Sequence, residues 1–350
     1  MRLRAKNTAH ICSGRRPEQV STRSLRGRFF RLCVLAALCA MVAACGDGES
    51  DGGSPDSASV APTILEREPT ELDLPIRLGV TLPLFEDFAR AAGGENVEVV
   101  SLVPPTADPH QFDQAGKLTR DISGIDFFFV NGLGLDDRIA SAIEAARDEE
   151  AFVVPFAANM RSPRGSELGD VDLTAEAAGD NPHLWLDPTL AYIYVEIIAD
   201  EFVIYDGVRK EFYDDNFGRF RDGLVALRDE LSAEIDKIPQ ARRKLVTYHN
   251  SFEHFARRFG MEVAGFAIDS PGAQPDAAAV NELVAKVEAE GVPAVFAEHG
   301  YERNAIDEIA LRAGVPVCTL YSDVLPDGVD NYAEMMRANV AEMVRCLGSE

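Results

Sequence analysis

Histidine is scarce in this chain of 350 residues, six in all, yet its placement follows a pattern. His110 stands in "TADPHQFDQ" and His183 in "DNPHLWLDP", each directly after a proline, while His249 ends "KLVTYH" and Asp323 ends "VCTLYSD". The spacings are 73, 66 and 74 residues, so each half of the chain contributes two candidate groups. Three imidazoles and a carboxylate form a nitrogen and oxygen donor set suited to Zn²⁺ or Mn²⁺. Pro109 and Pro182 restrict the backbone before two of these donors, which reduces the entropy lost when an ion is gripped. A ligating imidazole also needs an acceptor for its second N–H, and Asp108, Asp113, Asp187 and Asn250 are the near candidates.

Singly, each residue has an ordinary explanation. A histidine after proline is usually a satisfied turn residue, and an aspartate past a strand is usually a helix cap. The joint pattern carries the metal reading. His254, five residues past His249, is expected to cap or pack its helix, whereas Glu298 and His299 follow the strand "AVFAE" and are candidates to line the same cleft.

The elements that must position these groups alternate. The runs 76–83, 97–104, 125–132 and 151–157 read as strands, and 84–93, 114–123 and 135–149 as helices. Near-continuous apolar strands separated by helices argue for a parallel sheet covered on both faces. Residues 161–182 are acidic, lack periodicity and read as a loop, after which 194–206 closes the first unit. The second half repeats the alternation. Between the halves, 207–237 reads as helix, with Leu224, Leu227, Leu231 and Ile235 on one face. The expected fold is therefore α/β: a lobe at 76–206 and a lobe at 238–350, with mainly parallel sheets, joined by one long rigid helix. Ligands of open parallel sheets sit beyond the carboxyl ends of strands, which puts the metal site in the interlobe cleft.

The N-terminus is built differently. Residues 1–31 carry nine basic side chains, and Leu32–Ala44 is an uninterrupted apolar and small run. Thirteen residues span only about 20 Å as a helix, too short for a bilayer and typical of a secretory signal. The signal is assigned to 1–44. It ends in "VAAC", which resembles the bacterial lipobox and makes Cys45 the candidate for lipidation. Cleavage after Ala44 without lipid, or an uncleaved anchor, are the alternatives, and all three place the remainder outside the cytoplasm. Residues 45–75, rich in Gly, Ser, Pro and acid, read as a flexible tether.

The whole chain has a formal charge of −24. Without residues 1–44 it has 25 basic and 57 acidic side chains, a formal charge of −32. Such a surface repels nucleic acid and anionic lipid. Of six cysteines, Cys318 and Cys346 alone lie beyond the export segment and Cys45. Pairing them in an oxidising compartment requires Cα atoms within about 7 Å, a separation that the sequence does not carry.

The blocks "SLVPPTADPHQFDQAGKLTRDISGIDFFFVNGLGLDDRI", "NPHLWLDP", "LVTYHNSFEHFARRFGMEVAG", "VFAEHGYERNAIDEIALRAGVPV" and "LYSDVLPDGVDNYAEMMRANV" resemble, in order, those of the zinc/manganese solute-binding lipoproteins of bacterial ABC importers. The resemblance runs from about Ile76 to Leu347. It implies two α/β lobes bridged by a rigid helix, with a metal held between them as cargo and passed to a membrane permease. Residue by residue, it carries the family's four ligands onto His110, His183, His249 and Asp323. Two departures stand out. The histidine-rich loop of many zinc-specific members is replaced by the acidic, histidine-free "SPRGSELGDVDLTAEAAGD", and the usual Glu-Pro-Ser reads Gln274-Pro275-Asp276.

The expected function is a monomeric, lipid-anchored binding protein for Zn²⁺, with Mn²⁺ second, that serves an ABC permease. Four protein ligands fill a tetrahedral site, whereas catalytic zinc keeps a position open for water. No H-E-x-x-H helix occurs, so a zinc hydrolase is the weaker alternative and no enzyme is expected. A metal-dependent surface adhesin is the other alternative. Loss of the histidine loop weakens strict zinc selectivity, and binding of Asp323 through both oxygens would make manganese acceptable.

Overall fold

Four short apolar runs in the first half become one parallel sheet: β1 (Ile76–Val80), β2 (Val97–Ser101), β3 (Phe127–Val130) and β4 (Phe152–Pro155), in the order β2-β1-β3-β4. The structure, a computed structural model, describes residues 72–112, 122–160, 180–269, 271–273, 275–326, 328–329 and 331–348. The export segment, Cys45, the tether up to residue 71, Asp113, most of the helix expected over 114–123, the loop at 161–179 and Gln274 lie outside the described residues. Side chains of a strand alternate between faces, and both faces of β3 are covered. Phe127 and Phe129 join a core with Phe85, Phe88 and Phe156, while Phe128 and Val130 join another with Ile139 and Ile143. Helix α1 (Leu84–Gly93) supplies Phe85 and Phe88, helix α2 (Asp137–Ala146) supplies Ile139 and Ile143, and Phe156 follows β4.

The second half holds two parallel pairs. β5 (Lys244–Thr247) pairs with β6 (Glu262–Phe266), and β7 (Val295–Glu298) with β8 (Val317–Leu320), with β5 running beside β7. Helices α5 (Glu253–Phe259), α6 (Ala277–Glu290), α7 (Asn304–Ala313) and α8 (Tyr332–Leu347) alternate with these strands. The expected α/β architecture with parallel sheets is thus the one observed. Asp276, at the departure from Glu-Pro-Ser, caps α6 by accepting the Ala278 N–H at 3.0 Å.

Two helices lie in sequence between the strands of the two halves. The run that closes the first unit belongs to α3 (Pro188–Tyr205), in which every residue from Pro188 to Ala199 is buried. Over that stretch the helix has no solvent face and lies in a core. The long helix α4 (Lys210–Ile235) spans about 39 Å at 1.5 Å per residue. It packs on α1 and α3 and also on α8, so it reaches elements of both halves. Its stripe of Leu224, Leu227, Leu231 and Ile235 is buried, as the periodicity predicts. Among the described residues no helix is long and apolar enough to cross a membrane.

Cys318 of β8 and Cys346 of α8 form a disulfide, with Cα atoms 6.7 Å apart. The two cysteines are 28 residues apart in sequence, and closing a loop of that length stabilises by about 3–4 kcal/mol in the chain-entropy account. The bond ties the last helix to the strand that leads into Asp323.

Polar bridges tie the halves directly. Trp185 Nε1 donates to the Ser322 carbonyl at 3.0 Å, and the Tyr332 hydroxyl donates to the Trp185 carbonyl at 2.8 Å. Asp187 caps α3 through the Thr189 N–H, and its two oxygens accept Arg258 Nε at 2.8 and 2.7 Å. Removing the carboxylate strands a largely buried guanidinium and a helix end, which costs about 3 kcal/mol. Asp187→Ala is therefore expected to lower the unfolding free energy by about that amount in urea denaturation; a loss below about 1 kcal/mol would contradict the assigned role.

Candidate metal centre

Each candidate donor sits in a loop or at the edge of a short turn. His110 follows the loop beyond β2, and its N–H donates to Asp108 Oδ1 at 2.9 Å, an Asx-type turn that fixes the Asp-Pro-His corner. His183 opens a short 3₁₀ turn, Leu184–Leu186, that feeds α3. Asn131, just past β3, holds the turn from behind: its Nδ2 donates to the Pro182 carbonyl at 2.9 Å, and its Oδ1 accepts the Tyr194 hydroxyl at 2.6 Å. The buried Asp136 in turn accepts the N–H groups of Asn131 and Gly132 and the Thr81 hydroxyl. Between them the chain passes through three consecutive residues of positive φ, Gly132, Leu133 and Gly134. The middle one is a leucine, in a conformation that costs free energy, and it lines the cavity beside the histidines.

His249 follows β5 and Asp323 follows β8. The structure brings His110, His183, His249 and Asp323 together, with one donor atom from each within 4.8 Å of all the others. His183 Nε2 lies 3.2 Å from His110 Nε2, 3.0 Å from His249 Nε2 and 3.4 Å from Asp323 Oδ1. His249 Nε2 lies 3.7 Å from Asp323 Oδ2. A tetrahedron with vertices about 2.0–2.1 Å from its centre has edges of about 3.3–3.4 Å. The three separations from His183 Nε2, 3.0 to 3.4 Å, lie near that value, so the donor set fits a transition-metal ion.

The outer contacts fix where the protons are. Asn181 Nδ2 donates to the Asn250 carbonyl at 2.7 Å, so its Oδ1 is the acceptor facing His183 Nδ1 at 2.8 Å. His183 Nδ1 therefore bears the hydrogen, and Nε2 turns a lone pair to the centre. His249 Nδ1 lies 3.2 Å from Glu298 Oε1, and its backbone N–H donates to the same oxygen at 2.9 Å. Glu298 Oε2 accepts the Ser251 hydroxyl at 2.8 Å. Asp323 Oδ2 accepts the Tyr301 hydroxyl at 2.6 Å and Ser322 Oγ at 3.0 Å, while Oδ1 is buried with no hydrogen-bond partner among the described residues.

These surroundings push the imidazoles apart. Burial, with His249 and His110 adjacent, holds His183 well below the ordinary value of 6.5. Burial also lowers His110, although Asp323 opposes it. Burial would lower His249 as well, but the Glu298 carboxylate, its hydrogen bond and Asp323 outweigh that and raise it. Glu298 is held below its usual range: burial acts upward, and the charge and hydrogen bonds of His249 prevail. Burial raises Asp323 against the pull of His249 and His110. Burial and the carboxylates of Asp323 and Asp108 push the Tyr301 phenol far above 10, so it keeps its proton.

A cavity of about 390 Å³ opens onto the three histidines, with Asp180, Glu253 and Asp269 among its lining residues. A rim of that sign raises the local concentration of cations.

Several expectations need correction. Neither Glu298 nor His299 lines this cavity. Glu298 lies behind His249 as its acceptor, and His299 turns its ring to Tyr321 at 5.6 Å while its N–H pairs with Leu320. Of the proposed imidazole acceptors, Asp108 serves the backbone of its own turn, Asp187 caps α3, and Asn250 offers its carbonyl to Asn181. The sequence reading passed over Asn181, Tyr301 and Ser322. Asn181 had a local signal, since it stands two residues before His183; Tyr301 meets Asp323 only through the fold. His254 is buried in α5, its Nε2 3.1 Å from the Asn181 carbonyl, and stands outside the cluster of four, as expected.

Residues 79–346 match the model of the family described as "Zinc-uptake complex component A periplasmic". The chain belongs to this family. Similar to this member of the zinc-uptake component A family is the "Manganese-binding lipoprotein MntA" of Halalkalibacterium halodurans, 24% identical over 273 residues, or 77% of this chain and 87% of the relative. The "Iron ABC transporter substrate-binding lipoprotein MtsA" of Streptococcus pyogenes serotype M1 is 22% identical, over 76% of this chain and 86% of the relative. Among solved structures, the periplasmic zinc binding protein TroA from Treponema pallidum superposes with a TM-score of 0.68 at 21% identity, covering 78% of this chain and 99% of the other. That likeness concerns the fold.

In metal-free protein, the histidine ring signals followed by NMR through pH are expected to diverge, with His249 titrating above 6.5 and His183 below it. The stability contributed by His249 is present below pH 6.5 and is lost as pH rises through its raised folded value; that of neutral His183 is present above 6.5 and is lost as pH falls through its lowered one. In Glu298→Gln the His249 titration should move downward, and an unmoved titration would remove Glu298 as the cause.

Proposed function

We propose that this chain is an extracytoplasmic solute-binding lipoprotein that captures a divalent transition-metal ion, Zn²⁺ before Mn²⁺, and delivers it to the permease of an ABC importer. The observation that carries the reading is the convergence of three imidazole nitrogens and one buried carboxylate at separations near those of a tetrahedral shell. His110, His183, His249 and Asp323 are the assigned ligands. Lobes at 76–206 and 238–350, on either side of the helix spanning 207–237, would grip the ion between them.

The relatives' names support the transport half of the reading, since they describe metal-binding lipoproteins and ABC transporter substrate-binding lipoproteins for manganese and iron. The donor set favours zinc, which also outbinds manganese at most nitrogen-rich sites. Family members are substrate-binding proteins, and this chain is read as one, working as a monomer without catalysis of its own. Cys45 is assigned as the lipidated residue that holds the protein at the membrane.

His110→Ala is expected to weaken Zn²⁺ affinity at least about 100-fold in competition titrations, with circular dichroism unchanged; retention of tight binding would remove His110 from the ligand set. Cys45→Ser, expressed in a bacterial host, should move the protein from the membrane fraction to the soluble one, and continued anchoring would refute lipidation at that residue.

A further inference from the structure

Asp323 turns both carboxylate oxygens toward the imidazoles, Oδ1 at 3.4 Å from His183 Nε2 and Oδ2 at 3.7 Å from His249 Nε2. Their surroundings differ. Oδ2 takes two donors, the Tyr301 hydroxyl at 2.6 Å and Ser322 Oγ at 3.0 Å, whereas Oδ1 is buried and unpartnered among the described residues. A carboxylate oxygen has two lone-pair sites; the two hydroxyls address those of Oδ2, with Ser322 sharing its hydroxyl with the Glu298 carboxylate.

We propose that Tyr301 and Ser322 set the coordination number of the site, and with it the choice of ion, by occupying Oδ2 so that the cargo takes Asp323 through Oδ1 alone. The inference rests on the metal-binding reading above and adds what selects the metal. With Oδ2 occupied, the protein offers three nitrogens and one oxygen, a four-donor shell that suits Zn²⁺. Mn²⁺ prefers a larger, oxygen-richer shell. The second oxygen of Asp323 is the nearest donor that could enlarge the shell, and it is the one withheld.

Tyr301 is held firmly enough for this task. Its ring stacks on Tyr248 with centroids 5.3 Å apart and planes 27° from parallel, and it packs against the His249 ring at 5.3 Å. Its hydroxyl also lies 3.3 Å from Asp108 Oδ1, the oxygen that receives the His110 N–H. One phenol thus touches the support of the first donor and the fourth donor itself, one from each half of the chain. Tyr301 is a specificity-determining residue that acts through Asp323.

The test compares wild type, Tyr301→Phe and Ser322→Ala. Chelator competition measures Zn²⁺ and Mn²⁺ affinities, X-ray absorption counts the donors around bound zinc, and circular dichroism checks folding. Wild type is expected to show four donors. Tyr301→Phe should gain an oxygen, and its ratio of Zn²⁺ to Mn²⁺ affinity should fall about tenfold or more, within the range that outer contacts of a metal site control. Ser322→Ala should shift the ratio the same way by less, and it decides the matter if Tyr301→Phe does not fold. An unchanged ratio in a folded variant that still binds one zinc ion would overturn the proposal, even if both affinities drop together. So would five donors in wild type. Failure of wild type to bind either ion would instead overturn the metal-binding reading, and this proposal with it.

Discussion

The Nε2 atoms of His183 and His249, both buried residues, face each other across 3.0 Å. Asn181 fixes the hydrogen of His183 on the far side of its ring, so the near nitrogen presents a bare lone pair. Electron density of like kind cannot be held that close without something positive between. In the metal-free molecule the Glu298 carboxylate, 3.2 Å from His249 Nδ1, raises the pKa of His249 and so favours a proton on that ring. A bound cation supplies positive charge between the rings, and it satisfies His110 and the bare Oδ1 of Asp323 at the same time. Much of the surrounding structure serves to keep these atoms from relaxing apart.

That service is divided between the halves. The first half supports His110 and His183 through Asp108, Asn131 and Asn181; the second supports His249 and Asp323 through Glu298, Tyr301 and Ser322. Direct bonds then join the two sets: Asn181 to the Asn250 carbonyl, Trp185 to the Ser322 carbonyl, Arg258 to Asp187. The helix α4, in contact with elements of both halves, adds a further link between them. Charge at the cavity mouth adds direction, since Asp180, Glu253 and Asp269 draw cations inward.

Much of this was legible in the sequence, for identifiable reasons. Strands such as Phe127–Val130 announce themselves because burial on both faces demands continuous apolar residues. The stripe of α4 was equally plain, because one face is wet and the other dry. The four clustered residues could be picked out because histidine is rare here and each follows a strand or a proline corner. The apolar helix α3 was harder: burial on all sides erases the periodicity that marks a helix. Contacts between the halves were harder still. Tyr301 reaching Asp323, or Glu298 turning behind His249, depends on how separate strands line up, and local pattern holds no record of that. The Cys318–Cys346 pairing likewise became decidable only once the strand and the last helix were seen side by side.

The single tryptophan has a consequence of its own. Trp185 is fully buried, its ring centroid is 5.3 Å from that of His183, and its indole N–H is bound to a carbonyl of the opposite half. Its emission therefore comes from one dry position that feels both the charge state of the neighbouring imidazole and the hydrogen bond across the halves. The molecule carries an intrinsic optical gauge at its centre, so occupancy of the pocket and separation of the halves can be followed in real time without attaching a dye.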